Sequence, residues 1–200
     1  MSEGEFMQEE RLSLEEKKTL LALARHTLEQ RLLRGRRETP APRAHGALLQ
    51  NRGAFVTLTR RGRLAGCIGT FRSDKPLAEV VEEMAISAAL HDPRFPSVRG
   101  EDLQSMEIEI SALTPLREIT DVSDIEVGTH GIYISRGARG GVLLPQVAVE
   151  HGWDREQFLA HTCLKAGLPP DAWQEGATIE VFSAEVFSEA DPEGSKVSCA

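Results

Sequence analysis

The stretch Gly53-Ala-Phe-Val-Thr-Leu-Thr-Arg-Arg-Gly-Arg-Leu-Ala-Gly-Cys-Ile-Gly-Thr-Phe71 decides the fold. Gly53–Thr59 is rich in residues that suit a pleated surface, Arg60–Arg63 with Gly62 has turn chemistry, and Arg63–Phe71 reads as the return strand. The segment predicts a β-hairpin with an unusual second strand. Gly66 and Gly69 bracket Cys67 there, where glycine costs a strand entropy and packing. Alternation assigns Leu64, Gly66, Ile68 and Thr70 to one face, and Ala65, Cys67, Gly69 and Phe71 to the other. The thiol then has two nearly bare neighbours, Ala65 and Gly69. The space beside it suits either another backbone or a ligand. Arg60, Arg61, Arg63 and Arg72 surround the strand, and nearby cations favour a thiolate. A small buried hydrophobe is the alternative role for the cysteine.

Working outward, Asp74-Lys-Pro76 opens a helix with Leu77, Val80, Val81 and Met84 on its buried side, and Asp92-Pro93 ends it. Met106–Leu113 then alternates as a strand. The same order recurs: a hairpin from His130–Ser135 and Gly141–Leu144, a helix over Asp154–Lys165 closed by Gly167, and a strand over Thr178–Phe187. A shift of about 78 positions places Gly53 on Gly131, Phe55 on Tyr133 and Leu64 on Val142. Ahead of the first hairpin, Ser13 and Glu16 have capping-box spacing, and an apolar stripe predicts a helix from Leu14 to Arg34. The pattern predicts an α+β, two-lobed protein with mainly antiparallel or mixed sheets and an internally duplicated hairpin–helix–strand unit. We assign the domain to 12–189, with repeat units at about 53–114 and 131–188 and a disordered tail at 190–200.

The 200-residue chain carries a net charge of −8, unevenly spread: residues 1–75 hold 15 Lys/Arg against 9 Asp/Glu, and residues 76–200 hold 8 against 22. The basic half, including the run Arg31, Arg34, Arg36, Arg37 and Arg43, is suited to drawing a small anionic ligand. Nucleic acid is disfavoured, because no aromatics interleave with those arginines as stacking platforms. No apolar run is long enough to span a bilayer, and the acidic start, Met-Ser-Glu-Gly-Glu-Phe, is unlike a signal peptide. Three widely spaced cysteines, Cys67, Cys163 and Cys199, argue for a reducing compartment and against a disulfide framework. These features predict a cytoplasmic protein. They include neither an iron–sulfur cysteine motif nor a zincin-like histidine spacing, so no cofactor or metal is assigned to the chain itself.

Four segments have compositions that a simple core does not need: the Cys67 strand, His91-Asp92-Pro93-Arg94-Phe95-Pro96, Gly128-Thr129-His130-Gly131, and Leu143-Leu144-Pro145-Gln146. With Ile110-Ser111-Ala112-Leu113-Thr114-Pro115 and Lys165-Ala166-Gly167-Leu168, they make the chain from about Leu14 to Glu189 resemble the AMMECR domain family. Bacterial members of that family are called AmmeMemoRadiSam system protein A. The resemblance implies a two-lobed α+β fold and partners in a radical S-adenosylmethionine enzyme and a Memo-type protein; it implies no settled activity. The family's strand carries an arginine directly before Gly-Cys, and Ala65 stands there in this chain. As an enzyme, the protein would use Cys67 as nucleophile or carrier in a groove between lobes. His130 or His91 would be the base and Asp92 an orienter. Gly66, Gly69, Arg72, Arg94 and Gln146 are the candidate substrate-binding residues. The alternative is a noncatalytic adaptor or substrate-binding module for those partners.

Overall fold

Ser13 starts the first helix as the sequence predicts. Its hydroxyl accepts the Glu16 N–H at 3.3 Å, and the Glu16 carboxylate accepts the Ser13 N–H at 2.9 Å. The structure, a computed structural model, describes residues 11–33, 40–71 and 74–194. The other Glu16 oxygen accepts the Ala47 N–H at 2.8 Å, so the cap also ties down the segment leading to the hairpin. Burial pushes the Glu16 carboxyl up, yet the hydrogen bonds from Ser13 and Ala47 outweigh it and hold the group below the usual carboxylate range. Helix α1, Leu14–Leu32, buries Leu20, Leu23, Ala24 and Leu28. Arg34, Arg36 and Arg37 of the basic run lie outside the described residues.

The hairpin is β1, Ala54–Arg60, and β2, Arg63–Thr70. Arg61 and Gly62 connect them with φ of 52° and 73°, the sense of turn that matches strand twist. Helix α2, Leu77–Leu90, packs across both strands, and β3, Met106–Leu113, pairs antiparallel with β1. One register detail overturns the simple alternation expected of β2. Leu58 faces Gly66 while Thr59 faces Leu64, so Ala65 is the extra residue of a β-bulge. Side chains change face at that point. Gly66 and Ile68 look toward the core with Leu58 and Val56, while Leu64 and Cys67 pair with Thr59 and Thr57 on the opposite face. An arginine in place of Ala65 would therefore not share the cysteine's face by simple parity.

The second unit contains β4, Arg117–Ile119; β5, Gly131–Arg136; β6, Arg139–Leu143; α3, Pro145–His151; α4, Arg155–Lys165; and β7, Thr178–Phe182. Its sheet order is β4-β7-β5-β6, and the first sheet reads β2-β1-β3-β8. Hairpin, helix and returning strand thus repeat with the same pairing. The register is 76 residues (Leu58 to Ile134, Arg60 to Arg136, Arg63 to Arg139), not 78; past the bulge it becomes 75, Gly66 to Gly141. That one-residue step is the bulge itself. Both glycines do the same work. A Cβ on Gly66 would lie 2.1 Å from the Ala88 carbonyl oxygen in α2, and one on Gly141 would lie 2.4 Å from the Ala166 nitrogen, just past α4.

The strand expected over Thr178–Phe187 is two strands, broken at Ser183. β7 pairs with β5, whereas β8, Ala184–Ser188, joins the first sheet beside β3. Burial explains the split: Ile179 and Val181 belong to the core around Ile134 and Phe158, while Phe187 is buried in the core around Val56, Leu28 and Ile110. Residues up to 114 together with those from 185 form one unit, and Pro115–Ala184 the other. After β8, the Ser188 N–H donates to the Asp191 carbonyl at 3.0 Å, and Asp191 accepts the Gly194 N–H at 3.2 Å. The rest of the expected tail, with Cys199, lies outside the described residues.

Candidate functional site

β2 lies at one end of the first sheet, so its outer edge has no strand partner among the described residues. An open edge leaves backbone N–H and C=O groups exposed. At Cys67 that edge is closed by two side chains from the turn after α2. The Cys67 N–H donates to Asp92 Oδ2 at 2.8 Å, and Arg94 Nη2 donates to the Cys67 carbonyl at 2.9 Å. Asp92 and Arg94 are themselves joined as a two-point pair, Nε to Oδ1 at 3.0 Å and Nη2 to Oδ2 at 2.8 Å, and the Arg94 N–H adds a bond to Oδ1 at 3.1 Å. The Asp92 side chain is 1% exposed and that of Arg94 57%.

The electrostatics follow from that geometry. The Arg94 guanidinium first, then the Cys67 N–H, hold the Asp92 carboxyl far below the usual carboxylate range. Asp92 is therefore a fixed anion that orients the Cys67 main chain. Arg94 is pushed up in turn, first by Asp92, with smaller contributions from the charge and hydrogen bonding of Cys67. The guanidinium also lies over the Phe95 ring, 5.3 Å from its centroid.

Across the strand, the Thr57 hydroxyl donates to Cys67 Sγ at 3.3 Å. Thr57 is paired on its other side with Glu109 of β3, so Cys67, Thr57 and Glu109 form one row on the face away from α2. Burial, then the neighbouring charge of Glu107, pushes the Glu109 carboxyl up. Cys67 itself is half-buried, whereas Cys163 is fully buried and its thiol is pushed up by that burial. A half-buried cysteine whose sulfur accepts a hydroxyl hydrogen bond and whose carbonyl holds a guanidinium is an arrangement that can present a thiol for reaction.

The space expected beside the sulfur is filled differently. The Phe55 ring occupies the position of a Gly69 side chain, 2.2 Å from where its Cβ would be, and Gly66 seats the α2 backbone. Both glycines are packing devices. Cys67, Asp92, Arg94, Gly66 and Gly69 all belong to the first unit, and His130 and Gln146 to the second. Arg72 lies outside the described residues, and His91 is an exposed C-cap of α2.

His130 does not have the free lone pair a base requires. Its Nδ1 accepts the Glu126 N–H at 3.1 Å, and the His130 backbone N–H donates to the Glu126 carbonyl at 2.9 Å. The neutral ring then carries its proton on Nε2. Burial first, and the Arg117 charge next, push its pKa down. Gln146 sits in the first turn of the seven-residue helix α3, half-buried. Sequence reasoning missed Thr57 and Glu109, because only the pairing register places them beside Cys67. Among the described residues no group of three or more His, Cys, Asp and Glu is placed to hold a metal ion, and no helix is long and apolar enough to cross a membrane.

Fold and site define a class: an α+β protein of duplicated hairpin–helix–strand units with a braced cysteine on the edge strand of one of them. The chain belongs to the AMMECR1 family, whose model matches residues 21–187. A protein of Methanosarcina acetivorans is 46% identical over 191 residues, covering 90% of this chain and 94% of its own. One from Methanopyrus kandleri is 47% identical over 195 residues, covering 92% and 94%. The crystal structure of an uncharacterized protein from Pyrococcus horikoshii matches with a TM-score of 0.67 at 41% identity, covering 90% of this chain and 95% of that one.

Proposed function

We propose that the protein is a thiol-bearing component of a radical S-adenosylmethionine and Memo-linked modification pathway in the cytoplasm, corresponding to the bacterial AmmeMemoRadiSam system protein A. Cys67 is its nucleophile or carrier. What supports this is the brace: the N–H and C=O of Cys67 are held by Asp92 and Arg94 while the residue stays half-exposed. A thiol whose role is only to fill space does not need its backbone fixed by a buried carboxylate and its arginine partner. As nucleophile the sulfur forms a bond to an electrophilic group supplied by a partner; the thiol proton passes to solvent, and the leaving group takes its bonding pair. Arg94, whose side chain is 57% exposed, would bind negative charge on that group. Cluster chemistry would then belong to the partner enzyme.

A noncatalytic adaptor is the second reading, favoured by the filled spaces at Gly66 and Gly69. Alkylation by iodoacetamide in a Cys199→Ala background separates the two. The nucleophile reading expects Cys67 to be labelled in the folded protein, at a rate well above that of the buried Cys163. Labelling of Cys67 only after denaturation would overturn it and leave the adaptor.

A further inference from the structure

We infer that the turn end of the first hairpin lines a binding cleft for a small anion with an apolar body, with Arg63 as its anion-binding group. The cleft has a volume of about 590 Å³ and lies within the first unit. It is lined by Arg60, Arg63, Leu64 and Ala65 of the hairpin and, from the segment that follows the Asp92–Arg94 brace, by Phe95 and Arg99; the carboxylates of Glu101 and Asp102 also line it, paired with Arg99 and Arg60. A volume of that order fits a small-molecule site, in which apolar walls supply contact and a few polar groups set orientation.

The charge arrangement is what calls for a ligand. Arg60 and Arg63 are direct cross-strand partners, and like charges so placed are destabilising. The second unit repeats this pair as Arg136 and Arg139, but there both guanidiniums are absorbed. Arg136 donates to the Glu175 carbonyl at 3.4 Å, and Arg139 to the Gly167 carbonyl at 2.9 Å. In the first unit Arg60 is neutralised by Asp102 at 2.7 Å, while Arg63 has no carboxylate partner among the described residues. Among the described residues the Arg99 guanidinium pairs with Glu101 alone, at 3.6 Å, with the two side chains 78% and 75% exposed, a contact worth little in water. The duplicated position has therefore been released from structural duty in one unit alone. It lines a cleft to which Leu64, Ala65 and Phe95 contribute apolar surface, in a chain whose overall charge is −8.

The ligand class follows: one carboxylate or sulfonate for Arg63, carried on a ring or short aliphatic body that lies along Leu64 and Phe95. The bulge contributes directly, since the small Ala65 side chain leaves the space open. This inference is independent of any reactivity at Cys67.

The test uses 1-anilinonaphthalene-8-sulfonate as probe on the full chain, by fluorescence titration and amide chemical-shift mapping. Saturable binding is expected, with perturbed amides at residues 63–65 and 95–99. Arg63→Glu should weaken it at least tenfold, Arg63→Lys should retain it largely, and Arg61→Glu, on the adjacent turn, should leave it unchanged. Ala65→Phe should block it by filling the cleft, with thermal melting confirming that each variant is folded. Wild-type affinity in both Arg63→Glu and Ala65→Phe, or perturbations confined to another part of the surface, would overturn the proposal.

Discussion

Asp92 contributes to the fold only as an anion, because every hydrogen bond it makes is one it accepts. Its lowered pKa fixes the sign of the pH effect. The stabilisation is complete above the unfolded value, near 3.8, and is lost only as pH falls through the much lower folded value. The brace on Cys67 is thus constant across neutral and mildly acidic pH. Asp92→Ala should leave the Cys67 amide without its acceptor, so that amide is expected to exchange with deuterium faster than in the wild type, while the Thr57 amide does not. Equal exchange at Cys67 in both proteins would show that the brace is dispensable. His130 behaves in the opposite sense to a proton donor. Its pKa is pushed below the ordinary 6.5, so the contribution of the neutral ring is present above that value and is lost as pH falls through the folded one. The Glu126 amide, which donates to Nδ1, is expected to shift and lose exchange protection at acid pH in the wild type but not in His130→Asn. An amide indifferent to pH in both would refute the assignment.

The elements depend on close approaches that no side chain could replace. At Gly66 and Gly141 the would-be Cβ meets backbone atoms, which cannot turn aside as a flexible side chain can. Gly66→Ala and Gly141→Ala are each expected to destabilise the protein by about 1–3 kcal/mol through overpacking, read as a lower denaturant midpoint. Unchanged midpoints would mean that strand and helix are not in contact there. Much at this scale was legible in the sequence. The capping box at Ser13 and Glu16, the turn at Gly62 and the Pro76 start of α2 act locally, so their residues announce them. The bulge at Ala65 did not show, since nothing in Leu-Ala-Gly marks which residue the partner strand skips. That one slip misplaced Leu64 relative to Cys67 and concealed the Cys67–Thr57–Glu109 row. The Asp92–Arg94 pair could be recognised as a charge pair in a stiff turn; its target, the Cys67 backbone 25 residues away, could not.

At the scale of the whole molecule, two separate cores are built from one repeated plan, and the chain does not complete them in order. The first sheet needs β8, which follows the entire second unit. Around it Glu185 accepts the Leu12 N–H at 2.9 Å and pairs with Lys17 at 3.2 Å, while Arg25 forms a two-point ion pair with Glu189. Phe187, 1% exposed, fills the first core. Phe187→Ala should cost about 3–5 kcal/mol, as removal of a buried aromatic does. The loss should appear as increased amide exchange in α1 and β3 and leave β5 protected. Uniform loss across both units would contradict the division into two cores. The split of Thr178–Phe187 at Ser183 escaped the sequence reading although the alternation slips there, from Ile179 and Val181 to Phe182, Ala184 and Val186; only the destination of Phe187 shows that the slip is a change of sheet.

The late return of β8 has a consequence for biosynthesis. A ribosome releases the amino-terminal residues first, yet the unit they begin lacks its last strand until residue 188 has left the exit tunnel. The contiguous segment between 115 and 184 has no such debt to the carboxyl terminus, so the unit encoded second is the first that can be finished. Until residue 188 has emerged, the β3 edge awaiting β8 stands open, and a nascent chain stalled before that point presents an unpaired strand edge on which aggregation can start.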